Sequence, residues 1–591
     1  MNQGSGRRFI GPAILLLAAL IAVAPLLVRG SSCGHDFDFH LVSWLAALHS
    51  WRQGIVYPHW AASANYGAGS PRFVFYPPLT WMLGAALGAE LPWNLAPIAL
   101  TFLLLAATGL GTRRLAREVL GEGPATLAGG AAIFSTYALF TAYERTAFAE
   151  LAGGLWVPLV LLFALRRRAP SGPLLRRAFD GSAASLAIAI AGTWLSNDPL
   201  GVMVCYMLAG VALAAAVAQR SWAPIVRAAA STALGLGVAA FYLVPAAWEQ
   251  SWVAIGQVIA DPAEQFQTSW LFARHADPSL QAHDGVLHTV SIAGAIMFAA
   301  AFTGLGVGWR RGRFLAKGDR WAAFWIPVAL IPFAVLFLQL PESAPVWNLV
   351  PRLHFLQFPW RWLVCLEAPM GLLIAAAVWP ARPRWRLAVG GACAAAFLSA
   401  GYFGAGAYFQ VCEDSETPLA MASIDRARLG FEGASEYVPR GVDSTNIPMG
   451  LPQSCLVSEP LAPLAAEPAD PDSVPEFEQS QHTCEATFKG YGSNAEHVRF
   501  AFESAQAGYL VLRLLNYPAW RVRVNGSLVA SLPRRDDGLI AVPVGAGRVA
   551  VAADWTATGD VIAGRWLSVL SVLLLTGLGA GERRLSGTRL S

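Results

Sequence analysis

Charge is what this chain lacks. Only 14% of its 591 residues are Asp, Glu, Lys or Arg, against about 25% in ordinary soluble domains. With 55% hydrophobic residues and a mean hydropathy of +0.47, a water-soluble chain could not cover its own surface. That excludes a large soluble enzyme, a nucleic-acid binder and a disordered chain. Lysine is nearly absent, with Lys317 and Lys489 alone, so the basic side is almost all arginine. The chain also lacks a phosphate-binding Walker loop, a dinucleotide fingerprint, zinc-ligand spacing and a convincing Ser-His-Asp arrangement.

What the sequence has instead is long apolar runs. Runs of roughly 17–25 residues are long enough to cross a bilayer as helices. They lie near 9–28, 92–111, 124–143, 148–165, 181–197, 199–218, 225–246, 287–308, 321–340, 359–380, 386–409 and 560–579. A further apolar segment, 73–89, is short and opens on Tyr76-Pro77-Pro78. Arginine clusters follow the runs: Arg7/Arg8, Arg113/Arg114/Arg117, Arg166/Arg167/Arg168 with Arg176/Arg177, Arg310/Arg311/Arg313, Arg382/Arg384/Arg386 and Arg583/Arg584. Because cytoplasmic loops retain Lys and Arg, all clusters share one side if 73–89 does not cross. The expectation is a multi-pass protein of a bacterial cytoplasmic (inner) membrane, with about twelve crossings and both termini cytoplasmic. Arg7/Arg8 before an apolar run resemble a signal peptide, but no clean cleavage site follows, so a retained anchor is expected.

This layout puts 29–91, 247–286, 341–358 and 410–559 outside. The last holds 19 of the 38 acidic residues and 11 of the 42 basic ones, so the outer domain is acidic. Cys33, Cys412, Cys455 and Cys484 fall outside, an even number that suits disulfides, with three pairings open. Cys205, Cys365 and Cys393 fall in membrane segments. Residues 410–483 are rich in Pro, Glu, Asp and Ser and read as an irregular linker. From 484 to 558 the pattern alternates, as in His497–Phe502, Tyr509–Leu514, Trp520–Val524 and Arg548–Val551, with turns at Asn525-Gly526 and Asp536-Asp537-Gly538. Such alternation predicts a small antiparallel β-sandwich. The fold class is therefore mainly α: a transmembrane bundle over 1–409, then linker and β-sandwich, with a final helix and tail over 559–591.

The most informative stretch is Gly34-His35-Asp36-Phe37-Asp38-Phe39-His40, directly after the first crossing. Carboxylates and imidazoles at a membrane edge are costly without a use. A carboxylate there can take a proton from an acceptor hydroxyl, or anchor a divalent cation that neutralises a phosphate. The plain alternative is that Asp36 or Asp38, the latter especially, caps a helix beginning near Leu41. An amphipathic helix is expected over 40–53. The aromatics of Tyr57-Pro58-His59-Trp60 and Phe75-Tyr76-Pro77-Pro78 suit a segment lying at headgroup level.

The acidic motif after the first crossing, the helix, Gly54-Ile55-Val56-Tyr57-Pro58-His59-Trp60 and Tyr76-Pro77-Pro78-Leu79 resemble the GT-C superfamily of membrane glycosyltransferases. More narrowly, the chain resembles bacterial membrane proteins labelled "6-pyruvoyl-tetrahydropterin synthase-related", although nothing in it resembles the three-histidine zinc site of that enzyme. Glu144–Glu150, Gln357-Phe358-Pro359-Trp360-Arg361, Glu436-Tyr437-Val438-Pro439, and Tyr517–Trp520 with Val524-Asn525-Gly526 extend the resemblance over nearly the whole chain. It implies transfer of a sugar from a polyprenyl-phosphate carrier to a glycan, lipid or protein acceptor on the outer face. Asp36 would be the base or metal ligand and Asp38 a second, with magnesium or manganese as the cation were one used. Where many relatives carry an arginine after the Pro-Pro-Leu segment, this chain has Pro92-Trp93-Asn94-Leu95.

Arginine stabilises a departing phosphate in bidentate fashion, which singles out Arg361, Arg145 and Arg352. The plain alternative for Arg361 is snorkelling to headgroups or pairing with Glu367. His40, Glu150 and Gln357 are supporting candidates, Glu150 as the partner of Arg145. Asn197 and Asp198 break an apolar run on the outer side and read as a solvated turn, with lining of the same cavity as the alternative. His275, His283 and His288 with Asp277 and Asp284 read as loop surface or a lid. The rival function is a non-enzymatic protein that binds, moves or scaffolds envelope lipids or polysaccharide.

Overall fold

The computed structural model describes residues 6–166, 174–179, 181–314, 319–442, 447, 449–457, 484, 486–535 and 537–587. Arg167, Arg168, Asp536 and most of the acidic part of the 410–483 stretch lie outside the described residues.

Helices occupy the apolar runs because nothing else satisfies backbone polar groups in hydrocarbon. Among the described residues, nine helices are long and apolar enough to cross a membrane. Two further pairs are bent at a short break: Ala223–Val238 with Ala240–Glu249 by 77°, and Ala322–Phe337 with Pro341–Leu349 by 99°. The apolar run at 181–197 forms the shorter helix Ala183–Ser196, of 14 residues. The extra segment forms the helix Pro78–Glu90 of 13 residues, about 20 Å long at 1.5 Å per residue, too short for a hydrocarbon core of about 30 Å. The protein is thus a multi-pass membrane protein. Large side chains on its first and last helices face outward, with Leu17 57% and Leu574 67% exposed.

The arginine clusters gather where the helices end. Arg113 and Arg117 both bridge Glu122, while Arg114 and Arg166 bridge Glu118. Arg311 and Arg313 donate to the carbonyls of Ala377 and Trp379, at the far end of the helix Val364–Val378.

At the opposite end stands the C-terminal β-domain. Its strands are β1 (Ser454–Val457), β2 (His497–Ser504), β3 (Gly508–Leu515), β4 (Trp520–Val524), β5 (Ser527–Leu528), β6 (Leu539–Val544) and β7 (Gly547–Trp555). They form two antiparallel sheets, in the orders β1-β3-β6 and β2-β7-β4-β5. The β4–β5 hairpin turns on Asn525 (φ 50°) and Gly526 (φ 85°), the left-handed pair that a two-residue turn requires. The stretch read as irregular contributes a helix, Pro418–Arg426, and strand β1.

The first outer loop is packed into the protein. The helix, Phe37–Arg52, starts earlier than 40 and is buried on most sides. Trp44 and Trp81 are fully buried and Trp60 is 1% exposed. Trp60 packs edge-on against Trp520 of β4, at 5.3 Å, and is tilted against Trp555 of β7 at 5.5 Å. The backbone of Leu515 donates to Ala68. The aromatics are therefore the glue between loop and β-domain, because indole rings bury large apolar area while needing few polar partners.

The four outer cysteines pair as Cys33–Cys412 and Cys455–Cys484. The first joins the exit of helix Gly6–Arg29 to the chain leaving helix Arg386–Tyr408, closing a loop of 379 residues in sequence separation. Replacing Cys33 and Cys412 by Ser should lower stability by about 2–4 kcal/mol. A fall in the thermal midpoint of the double variant under oxidising conditions checks this. An unchanged midpoint would show that packing alone holds the junction.

Candidate active site

A cavity of about 980 Å³ lies among the first outer loop, the helix ends near Arg145 and Asp198, the stretches 255–264 and 352–361, and Ser435–Tyr437. Asp36, His40, Arg145, Glu150, Arg352, Gln357 and Arg361 all line it; Asp38 does not.

The centre of the site is a chain of buried charges. Arg145 donates from Nη2 to Asp36 Oδ2 at 2.7 Å and from Nη1 to Glu150 Oε2 at 2.5 Å. Arg361 Nε lies 3.4 Å from the same Glu150 oxygen. The Tyr137 hydroxyl donates to Glu150 Oε1. Arg145 is 4% exposed and Glu150 2%, so each charge is tolerable only because its partner is there. Arg361 pairs with Glu150 and donates from Nη1 to the Leu356 carbonyl at 3.1 Å. No pairing with Glu367 is seen. Its Nη2 carries no hydrogen bond among the described residues. Aromatic rings separate the two guanidinium groups: Arg145 sits 5.1 Å from the Trp360 ring and Arg361 4.9 Å from Phe358, with those rings stacked at 4.7 Å.

Local backbone explains how these groups meet. Residues Thr141–Arg145 form a π-helical turn that ends on Thr146 in the left-handed region, φ 48°. Such turns are rare and recur at functional sites. Gly34 passes so close that a Cβ there would lie 2.1 Å from the Glu144 carbonyl oxygen. The Gly34 N–H donates to Thr146 Oγ1 and the Asp36 N–H to the Arg145 carbonyl. The acidic motif is thereby stitched to the turn that bears Arg145.

The capping alternative fails for both aspartates. Asp36 holds the N-cap position but makes no side-chain capping bond, since its carboxylate is turned to Arg145. Asp38 sits inside the first turn, exposed and away from the cavity. Positions two apart near a helix start point to different sides, so a shared-cation role for Asp36 and Asp38 does not fit. Asp36 Oδ2 is engaged by Arg145, and among the described residues no three His, Cys, Asp or Glu side chains are grouped to hold a metal.

Arg352 stands exposed at the cavity rim, 3.3 Å from Gln250 Oε1. Gln357 is buried; its Nε2 donates to the Val258 carbonyl at 2.7 Å and to Glu264 at 3.3 Å. It tethers the loop over the cavity. Asn197 and Asp198 line the cavity, contrary to the solvated-turn reading. Asn197 caps the helix Asp198–Gln219, and Asp198 accepts from the Tyr242 hydroxyl at 2.6 Å. His275 and Asp284 pair at 2.6 Å, while His283 alone of that cluster reaches the main cavity. Tyr137, Glu264 and the cavity-facing role of Glu436 and Tyr437 escaped the sequence reading. Tyr137 and Glu264 carry no signal beyond residue type, whereas Glu436-Tyr437 lay within a recognised motif.

No protein-family model matches the chain, and no curated protein matches it. Among solved structures it is similar to the Archaeoglobus fulgidus oligosaccharyltransferase in the apo form, with a TM-score of 0.41 and 13% identity. That match covers 73% of this chain and 61% of the other. It is also similar to the same organism's oligosaccharyltransferase AglB in complex with an inhibitory peptide and a dolichol-phosphate, at TM-score 0.40 and 14% identity, covering 69% of this chain and 57% of that one. A third similar structure is ArnT from Cupriavidus metallidurans bound to undecaprenyl phosphate, at TM-score 0.28 and 12% identity, covering 64% and 78% of the two chains. The chain spans less than two thirds of the length of the two oligosaccharyltransferase chains.

His40 supplies a test of the site's dryness. Its Nδ1 lies 3.3 Å from the Tyr76 hydroxyl, and burial pushes its pKa down to about 4 against a smaller opposing pull from Asp36. In the unfolded chain His40 takes a proton near pH 6.5, whereas folded it stays neutral until about pH 4. Its contribution is thus intact above pH 6.5 and lost as pH falls toward 4, by about 2–3 kcal/mol at pH 4.5. Thermal midpoints at pH 7 and 4.5 should fall less for His40→Gln than for wild type. Equal falls would mean His40 is protonated in the folded protein.

Proposed function

We propose that this protein is an integral-membrane glycosyltransferase that moves a sugar from a polyprenyl-phosphate donor to an acceptor on the extracytoplasmic face. The observation that carries this reading is the meeting of Asp36, Arg145, Glu150 and Arg361 in one large cavity. It joins a carboxylate able to accept a proton with a guanidinium edge free to accept a phosphate, and the motif resemblance to GT-C enzymes supports it.

In this mechanism the acceptor hydroxyl attacks the anomeric carbon of the donor sugar. A new carbon–oxygen bond forms as the bond from that carbon to the phosphate oxygen breaks. Asp36 takes the hydroxyl proton and later gives it to solvent. The departing lipid phosphate keeps the bond electrons, and its charge is met by Arg361 Nη2 with Arg352 at the rim. Charge-assisted contacts of this kind stabilise what develops in the transition state. Arg145 holds Asp36 in place and Glu150 holds the two arginines apart. No step is routed through a metal, because the donor set does not fit one. The arginine asymmetry supports both termini lying on the cytoplasmic side, and we place the chain in a bacterial cytoplasmic membrane; the division into 1–409, 410–483, 484–558 and 559–591 is kept except that β1 of the 410–483 stretch joins the β-domain.

The test is transfer from a polyprenyl-phosphate sugar by the purified chain in lipid nanodiscs. Asp36→Asn should cut turnover by about 10²-fold or more, and Arg361→Gln should chiefly weaken use of the lipid donor. Full activity in Asp36→Asn removes that residue from the mechanism. Absence of transfer across a panel of donors overturns the reading.

A further inference from the structure

The acid excess of the outer region is not shared by its β-domain. Residues 410–483 hold 13 acidic and 3 basic residues, whereas 484–558 hold 6 and 8. Strand alternation sorts the basic ones. In the sheet β2-β7-β4-β5, Phe500, Val522, Val549, Val551 and Ala553 point inward and are buried. The residues between them stand on the outward face, because successive side chains of a strand alternate.

The pairing register lays that face out in rows. His497 of β2 lies opposite Asp554 of β7, and Asp554 opposite Arg521 of β4. In the next row Arg499 lies opposite Ala552, and Ala552 opposite Arg523. Beyond them Ala501 faces Ala550. The face is thus a shallow trough: alanines of β7 form its floor, and arginines stand on the strands to either side, about 10 Å apart at the usual strand spacing. In the two charged rows Asp554 is the acid facing three arginines. It meets Arg499 Nη2 at 2.5 Å, His497 Nδ1 at 2.6 Å and Arg523 Nη1 at 3.4 Å. These contacts brace the cations without neutralising them all. Arg523 keeps 45% of its side chain exposed and Arg499 30%. Arg521 is exposed and forms no ion pair among the described residues.

We infer that this sheet face docks a linear glycan bearing carboxylate groups, on the side of the membrane where the β-domain stands. Guanidinium groups take carboxylates in bidentate fashion, and an excess of cations over acids draws an anionic partner. A sugar chain fits between the arginine walls because the alanines raise nothing from the floor. An extended peptide would instead pair with a sheet edge through its backbone groups, and the edges here are β2 and β5. A lipid surface calls for large apolar side chains among the cations, whereas the floor holds Ala501, Ala550 and Ala552. Among the described residues none of this face lines the Asp36 cavity, so the inference stands apart from the transferase reading.

The test is binding of a short oligogalacturonate and of its uncharged methyl ester to the purified chain in phosphatidylcholine nanodiscs, at low salt. The acid should bind about tenfold or more tightly than the ester, the scale of hydrogen bonds to charged groups. Arg521→Gln with Arg523→Gln should erase that preference at an unchanged thermal midpoint, since both side chains project into water. Ala552→Glu sets a carboxylate in the floor and leaves every arginine in place; it should erase the preference too. Equal binding of acid and ester, or a preference that survives either change, overturns the inference. Tighter binding of a polyglutamate peptide or of phosphatidylglycerol vesicles than of the oligogalacturonate assigns the face to that partner and overturns it as well.

Discussion

The structure of the outer end depends on Glu150. A carboxylate 2% exposed in a low-dielectric interior would cost several kcal/mol without partners. It is held by two guanidinium groups and a tyrosine hydroxyl. Satisfying it fixes Arg145, and Arg145 in turn fixes Asp36. The three helical segments that supply these groups cannot slide independently without stranding a charge. The π-turn, the left-handed Thr146 and the close passage of Gly34 are the backbone's accommodation to this requirement.

Around that centre, several unlike ties hold the first outer loop, the bundle and the β-domain to one another. Cys33–Cys412 closes the base of the loop. His59 binds Glu496 through both its backbone N–H and its ring, and stacks on Trp555. Tyr517 reaches from the β-domain to Glu249 at the end of a bent helix, with Thr558 on the other oxygen. Each tie links segments far apart in sequence, so the outer parts are positioned by tertiary contacts.

The helical bundle was legible because its physics is one-dimensional: a run of apolar residues of bilayer length has few other fates. The same holds for the strands at 497–502 and 520–524, where period-two alternation is written into the chain. Strand β1 was hidden, since its four residues are all buried and carry no alternation. The first loop misled for a related reason. Tryptophans that anchor a protein to headgroups and tryptophans that weld two domains have the same composition, and only the partners, Trp520 and Trp555, distinguish them. At the site, charged residues stood out against an apolar background, which is why Asp36, Arg145, Glu150 and Arg361 could be named. Asp38 looked equivalent to Asp36 until the helix start was known. Tyr137 could not be seen, because a tyrosine inside an apolar helix announces nothing until its hydroxyl is shown to meet a carboxylate.

The division of charge within the cavity follows from the same logic. Paired groups at the Arg361 corner are preorganised: their geometry is set before a substrate arrives, so little reorganisation is needed when charge develops. The guanidinium edge left over at Nη2 is then the part of the corner that can respond to a ligand. The other carboxylates of the wall are held by hydrogen bonds, Asp198 by Tyr242 and Glu264 by Gln357. Transfer of the kind proposed needs walls fixed in this way, because donor and acceptor must approach the same carbon from opposite sides.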